Sequence, residues 1–241
     1  ANGRGSYLQV AEGLRRLKSE RFRHLFNGIL CVVDLENDPL STFDALMEFT
    51  PPAIDLLLPH RNWDQPGALR SSSGAPHPYA DWLIPIFDRW YQSDSNTDIR
   101  FFARILDLLL GGESDLEVIG TSPVSMAVIE TDGTVEQVDA LKSAFDGAPA
   151  TGLNVFDHAM DTVMMNHSVI ARQLGKNGLC ETCRACSSVE VCGAGYYPHR
   201  YRSGAGFLNP SSYCADLFHL IDHIRKTLAE DVRGTDIIVR R

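Results

Sequence analysis

Apolar residues fall into two kinds of run along this chain, one with helical spacing and one continuous. Tyr7, Val10, Leu14 and Leu17 recur every three or four positions, which predicts an amphipathic helix from a cap at Ser6 to about Leu25. Residues 28–33 (GILCVV) form instead an unbroken apolar run of strand length, the type buried on both faces of a parallel sheet. Pro39 opens a second helix carrying Phe43, Leu46, Met47 and Phe49, and Thr50-Pro51-Pro52 ends it. A second buried strand follows at 53–58 (AIDLLL). Helix, strand, helix, strand predicts an α/β fold with parallel strands. Two such strands leave open edges and faces that need covering.

The pattern then loosens. Residues 65–77 are rich in Gly, Pro and Ser and predict a flexible loop. Helices are expected at 79–91 and 97–110, the second ended by Gly111-Gly112. Strands at 124–130 and 134–138 flank Asp132-Gly133, a strong hairpin signal. A loop at 146–151 leads to an expected helix at 154–174. A last helix at 216–228 bears an apolar stripe of Leu217, Leu220, Ile221, Ile224 and Leu228.

Composition narrows the class. With 241 residues and 44% hydrophobic content, the chain can build one large core or two small ones. No apolar run approaches the roughly 20 residues of a spanning helix, and no signal peptide opens the chain, which predicts a soluble cytoplasmic protein without a membrane partner. The net charge of −9 argues against nucleic acid as a partner. The basic cluster of Arg15, Arg16, Lys18, Arg21 and Arg23 reads as a solvated helix face.

Five of the six cysteines lie between residues 180 and 214, with the spacing Cys180-x2-Cys183-x2-Cys186-x5-Cys192-x21-Cys214. Clustering of this kind points to metal rather than to a disulfide framework. Four-thiolate sites hold either tetrahedral zinc or an iron–sulfur cluster. Structural zinc usually shows two short-spaced pairs, and here the last cysteine is solitary. The run Cys180, Cys183, Cys186 copies the start of a ferredoxin pattern, but Glu190 stands where that pattern has its fourth cysteine. Spacing favours iron–sulfur and leaves zinc open. Gly193, Gly195, Gly204 and Gly206 would let backbone amides approach the sulfurs, and His199, Arg200 and Arg202 could offset cluster charge. Cys31, in the middle of the first strand, reads as a small core residue.

The segment CRACSSVEVCGAGYYPHRYRSGAGFLNPSSYCADL resembles the C-terminal SPASM region of radical S-adenosylmethionine (radical SAM) enzymes that modify ribosomally made peptides. It is most similar to maturases of FxSxx-type precursors, relatives of the cyclophane-forming enzymes. Upstream, GRGSYLQVAEGLRRL, FNGILCVVDLENDPL and AIDLLLPHRNW resemble the late strands and helices of the radical enzymes' partial (β/α) barrel. MAVIETDGTVEQVDALKS resembles the hairpin that links barrel to SPASM region. The resemblance implies late barrel elements over 1–115, a linking region over 116–178 and a small, loop-rich SPASM iron–sulfur domain over 179–241.

It also implies that Cys183, Cys186, Cys192 and Cys214 hold an auxiliary [4Fe–4S] cluster, with Cys180 an extra cysteine and a possible alternative ligand. Larger SPASM enzymes carry further cysteines where this chain has Tyr196 and, in the hairpin, Gln137 and Val138, so the first auxiliary cluster is expected to be absent. The CxxxCxxC loop that binds the family's catalytic cluster has no counterpart here. The resemblance therefore implies the C-terminal part of a longer enzyme, or a degenerate relative. Its full-length form would bind S-adenosylmethionine, a second [4Fe–4S] cluster and a ribosomally made precursor peptide, and a separate N-terminal barrel half would be its structural partner. On the cofactor side, the Leu58-Pro59-His60 turn is the candidate for S-adenosylmethionine, against the alternative of a loop histidine capping the sheet. Asp81, Trp82, Asp88, Trp90 and Tyr91 either line a peptide groove or form core. Two readings compete with the enzyme: an inactive peptide- or subunit-binding SPASM protein, and a zinc-stabilised structural domain.

Overall fold

The structure is a computed structural model that describes residues 5–65, 75–124 and 126–239, the last six of these by their backbone alone. Residues 66–74 of the Gly/Pro/Ser-rich segment lie outside the described residues. The chain divides into two compact units, residues 1–58 with 82–103, and residues 59–81 with 104–241.

The first unit is built on a parallel sheet of order β1 (Ile29–Val32), β2 (Ala53–Leu57), β3 (Asp98–Ile99). Ile29 lies opposite Ile54 and Val32 opposite Leu57, so the two apolar runs pair in the expected parallel sense. The third strand falls at the head of the helix expected at 97–110. Ala53 and Ile54 pair with Asp98 and Ile99, and the helix α4 (Arg100–Leu109) starts one residue later. A two-residue strand is too short to show periodicity.

β1 departs from the expectation of burial on both faces. Leu30 and Val32 are 71% and 58% exposed, while Ile54 and Leu56 of the central strand β2 are buried. Central position, rather than apolar content, decides which strand is covered. Cys31 is half-buried.

Helix α1 (Tyr7–Lys18) is shorter than expected, and a separate 3₁₀ turn covers Arg23–Leu25. The Ser6 side chain makes no capping hydrogen bond, and Ala11 is buried while Tyr7, Leu8 and Val10 stay exposed. The five basic residues of this region lie mostly toward solvent, as a solvated face should. Helix α2 (Pro39–Met47) has the cap expected from its sequence: Asp38 accepts the Ser41 N–H at 2.7 Å, and Pro39 takes the first position, where no N–H is needed.

The aromatic helix α3 (Pro78–Tyr91) is core rather than groove. Ile86 and Phe87 are fully buried, and Phe87 meets Phe102 edge-on at 5.4 Å. The Trp82 and Trp90 indoles donate to the carbonyls of Asn37 and Thr97, which satisfies their polar ends. Asp81 lies on the exposed side.

The second unit contains an antiparallel sheet of β4 (Val128–Ile129), β5 (Thr134–Glu136) and β6 (Ala150–Asn154). The Asp132-Gly133 turn joins the first two as predicted. Gly133 has φ +83°, and Asp132 accepts the Thr134 N–H at 2.9 Å. The single helix expected at 154–174 does not form. Its first residue ends β6, and two short helices follow, α5 (Met160–Met164) and α6 (His167–Ala171). Asn166 interrupts them, because its side chain caps α6 through Ser168 and donates to the Thr151 carbonyl at 2.9 Å.

Two single-turn helices, α7 (Glu181–Arg184) and α8 (Val189–Cys192), carry the cysteines. The closing helix α9 (Cys214–Val239) is longer than its apolar stripe suggests. Leu217, Leu220, Ile221 and Ile224 are buried along it, each worth about 2 kcal/mol of apolar burial. Among the described residues, no helix is long and apolar enough to cross a membrane.

Candidate metal centre

Each cysteine of the cluster is placed by a local backbone device. Cys180 precedes α7 in extended conformation, Cys183 lies inside that turn, and Cys186 closes it through a backbone bond to the Cys183 carbonyl. Cys192 is the last residue of α8. Cys214 is the first residue of the 26-residue helix α9, at the positive end of its dipole.

These elements bring Cys183, Cys186, Cys192 and Cys214 to the wall of one cavity of about 70 Å³, which Val189, Ala194 and Phe218 also line. Cys180 is outside that lining and bonds instead to Cys183. All five are free thiols.

The turn after Cys192 is left-handed over three residues: Gly193, Ala194 and Gly195 have φ of +55°, +64° and +65°. A side chain on Gly193 would put its Cβ 1.6 Å from the Gly120 carbonyl oxygen, so only glycine fits. Ala194 has no such freedom and adopts a conformation costly for an L-residue, as happens at functional sites. The gain is electrostatic: the Ala194 backbone N–H, two residues after Cys192, favours that sulfur's thiolate. A second amide, from Ser188, donates to the Cys186 sulfur at 3.5 Å.

The glycines thus act differently from expectation. The amides of Gly193 and Gly195 bond to backbone carbonyls, and it is the amide between them that favours the Cys192 thiolate. Gly204 and Gly206 shape a separate turn closed between Arg202 and Gly206, away from the cavity.

Without metal, Cys183, Cys192 and Cys214 hold their protons more tightly than a free thiol. Burial first, then Cys180 and the other sulfurs, push Cys183 up to about 12. Burial and the charge of Cys214 push Cys192 up to about 11, and burial raises Cys214. Four thiolates cannot share this space unless a cation replaces their protons, which is the condition of a metal site.

The three basic candidates nearby separate. His199 is 2% exposed and burial pulls it down to about 3, so it is neutral. Arg202 is exposed. Arg200 is half-buried and turns toward the cysteine loop, donating to the Gly193 and Gly195 carbonyls, both at 2.6 Å.

The Leu58-Pro59-His60 turn follows the carboxyl end of β2. The Pro59 carbonyl accepts the Tyr213 hydroxyl at 2.8 Å, and the exposed His60 ring lies 6.1 Å from Tyr196 and 6.4 Å from His199.

Sequence reasoning missed a buried polar network. Arg172, its side chain 5% exposed, pairs with Glu117 at 2.8 Å and donates to Gln137 at 3.2 Å, and Gln137 donates to Ser168. Burial and the Glu117 charge raise the Tyr196 phenol to about 12. Of the three residues singled out by their lack of cysteine, Gln137 is bonded to this ion pair and Tyr196 lies within its field. Nothing local marks Arg172 or Glu117, which lie 55 residues apart.

No protein-family model and no curated protein sequence matches the chain. Solved structures do. The AdoMet-bound form of anSMEcpe, an anaerobic sulfatase-maturating radical SAM enzyme, is 20% identical with a TM-score of 0.74, over 93% of this chain and 61% of that one. The same enzyme with AdoMet and the Cp18Cys peptide is 21% identical with a TM-score of 0.68, over 90% and 62%. With the Kp18Cys peptide the values are 20% and 0.67, over 89% and 61%. The likeness is one of fold, and this chain spans about three fifths of the length of those structures.

Proposed function

We propose that this chain is the C-terminal part of a radical SAM peptide maturase and that Cys183, Cys186, Cys192 and Cys214 hold an auxiliary [4Fe–4S] cluster. The observation that carries this reading is the arrival of four thiols, from three separate elements, at one cavity, in a fold similar to that of an enzyme solved with AdoMet and peptide. The Ser188 amide on the Cys186 sulfur, the Ala194 amide that favours the Cys192 thiolate and the apolar wall suit an anionic cluster.

Sulfur spacing supports iron over zinc. A single zinc with Zn–S bonds of about 2.3 Å draws its four sulfurs to about 3.8 Å from one another. Among the described residues, no three cysteine sulfurs lie mutually within 4.8 Å. A four-iron cage gives each thiolate its own metal and spreads the sulfurs further apart.

In this reading residues 1–115 supply late strands of a partial barrel, 116–178 the link and 179–241 the SPASM domain. The exposed Leu30 and Val32 of β1 suit contact with a preceding barrel half. That half would carry the second [4Fe–4S] cluster, and the Leu58-Pro59-His60 turn would lie on the S-adenosylmethionine side. Held by these cysteines, a cluster would supply one-electron capacity. This chain's residues would hold it and set the charge around it. The modification is read as a side-chain cross-link of a ribosomally made peptide, of the FxSxx or cyclophane type, in the cytoplasm.

Anaerobic reconstitution followed by iron and zinc analysis tests the proposal. The expected product is brown with about four irons per chain. One zinc and no iron would sink it.

A further inference from the structure

Arg200 is a cation without an ion partner among the described residues. It ends the 3₁₀ turn Tyr197–Arg200, and its guanidinium makes three hydrogen bonds, all to backbone carbonyls: Nη2 to Gly193 and to Gly195 at 2.6 Å, and Nε to Gly195 at 3.2 Å. Its neighbour in the same region, Arg172, does have a carboxylate partner, in Glu117. Both guanidinium groups lie over the Tyr197 ring, at 5.5 and 5.4 Å from its centre.

A half-buried positive charge normally requires a counter-charge, because carbonyl dipoles replace only part of its hydration. The groups whose ionised forms act on Arg200 are sulfurs, with the Tyr197 phenol beside them: Cys192 and Cys183 first, then Tyr197 and Cys180, oppose the effect of burial on it, and the sulfurs carry that charge once a metal replaces their protons. In return Arg200 favours the thiolate of Cys192. The carbonyls it grips belong to the residues on either side of Ala194, whose amide faces Cys192. Holding those two carbonyls on one side of the left-handed turn keeps the intervening N–H on the other.

We infer that Arg200 is the built-in counter-charge of the four-thiolate site. It raises the reduction potential of the cluster held there and locks the Gly193-Ala194-Gly195 turn that presents an amide to Cys192. Arg200 touches no sulfur itself and acts through charge and through the turn. The inference rests on the cluster proposed above. Its physical basis is general: added positive charge and hydrogen bonds to sulfur both stabilise the reduced, more negative form of a cluster.

The test compares wild type, Arg200→Gln, Arg200→Lys and Arg202→Gln after anaerobic reconstitution. Iron per chain and the midpoint potential from an EPR-monitored titration are measured for each. Arg200→Gln is expected to load iron with a potential more negative than wild type. Arg200→Lys, which keeps the charge but loses the planar fork, should fall between the two. Arg202→Gln, an exposed neighbour, should shift the potential far less.

An iron-loaded Arg200→Gln protein with the wild-type potential overturns the role of Arg200 alone, and so does an equal shift from Arg202→Gln. Should Arg200→Gln fail to load iron, Arg200→Lys decides. Loading with a potential at or just below wild type supports the inference, and failure to load despite the retained charge overturns it. A wild-type chain that takes up zinc or no metal overturns the cluster reading itself, and this inference with it.

Discussion

The carboxylate of Asp216 in α9 accepts the backbone N–H of Tyr79 at the first turn of α3, at 2.8 Å, and also that of Ala80 at 3.0 Å. A residue 137 positions away thus supplies the helix cap that the local sequence of α3 lacks. Two stranded N–H groups in Asp216→Ala should cost about 2 kcal/mol.

The pH dependence of the same residue has a defined sign. Burial, outweighing the two backbone bonds, raises the Asp216 carboxyl above its usual range. A raised carboxyl contributes stability at low pH that is lost as pH rises through the folded value. Asp216→Asn keeps the acceptor and removes the buried charge, so its stability relative to wild type should increase between about pH 3 and pH 7. Urea unfolding across that range checks this. A difference that stays flat or falls would count against it.

Cysteine replacement should divide the five clustered thiols. Cys180 is outside the cavity lining, so Cys180→Ala should keep about four irons per chain after reconstitution. Cys214→Ala, which removes a lining thiol from the head of α9, should lose most of them. Equal iron in both variants would point to a different ligand set.

Two glycines should respond in opposite directions to the same substitution. Gly193→Ala forces a Cβ onto the Gly120 carbonyl at a φ of +55°, and should cost about 3 kcal/mol or more. Gly13 lies within α1, and nothing beyond its chain neighbours and the helix's own backbone comes within 4 Å of the place its Cβ would take, so Gly13→Ala should stabilise by about 0.5–1 kcal/mol. Denaturant midpoints measured on the two variants test both signs.

His199 should make the fold acid-sensitive. Burial, aided by the positive fields of His60 and Arg200, lowers it from 6.5 to about 3. Between those values the unfolded chain binds a proton that the folded chain refuses. Stability present above pH 6.5 should therefore fall as pH drops toward 3, by up to about 1.4 kcal/mol per unit from this group. His199→Phe should flatten that slope relative to wild type. An unchanged slope would show that the ring protonates in place.

Local chemistry made several features legible without coordinates. The Asp132-Gly133 hairpin, the Asp38-Pro39 helix start and the parallel pairing of the first two strands each depend on residues adjacent in sequence or on a continuous apolar run. The expected helix at 154–174 failed because Asn166 prefers to cap α6 and reach Thr151, a choice visible only once Thr151 is beside it. β3 was hidden because two residues carry no period.

The cysteine spacing by itself pointed to metal among five clustered thiols, and the family resemblance selected Cys183, Cys186, Cys192 and Cys214 from them. Tertiary structure alone decided that Cys214 joins the others at one cavity, that Ala194 rather than a glycine turns its amide to sulfur, and that Arg200 faces inward while Arg202 does not. These outcomes depend on charge, burial and backbone strain between segments far apart in the chain. No local pattern encodes them, because their energies exist only after the segments have met.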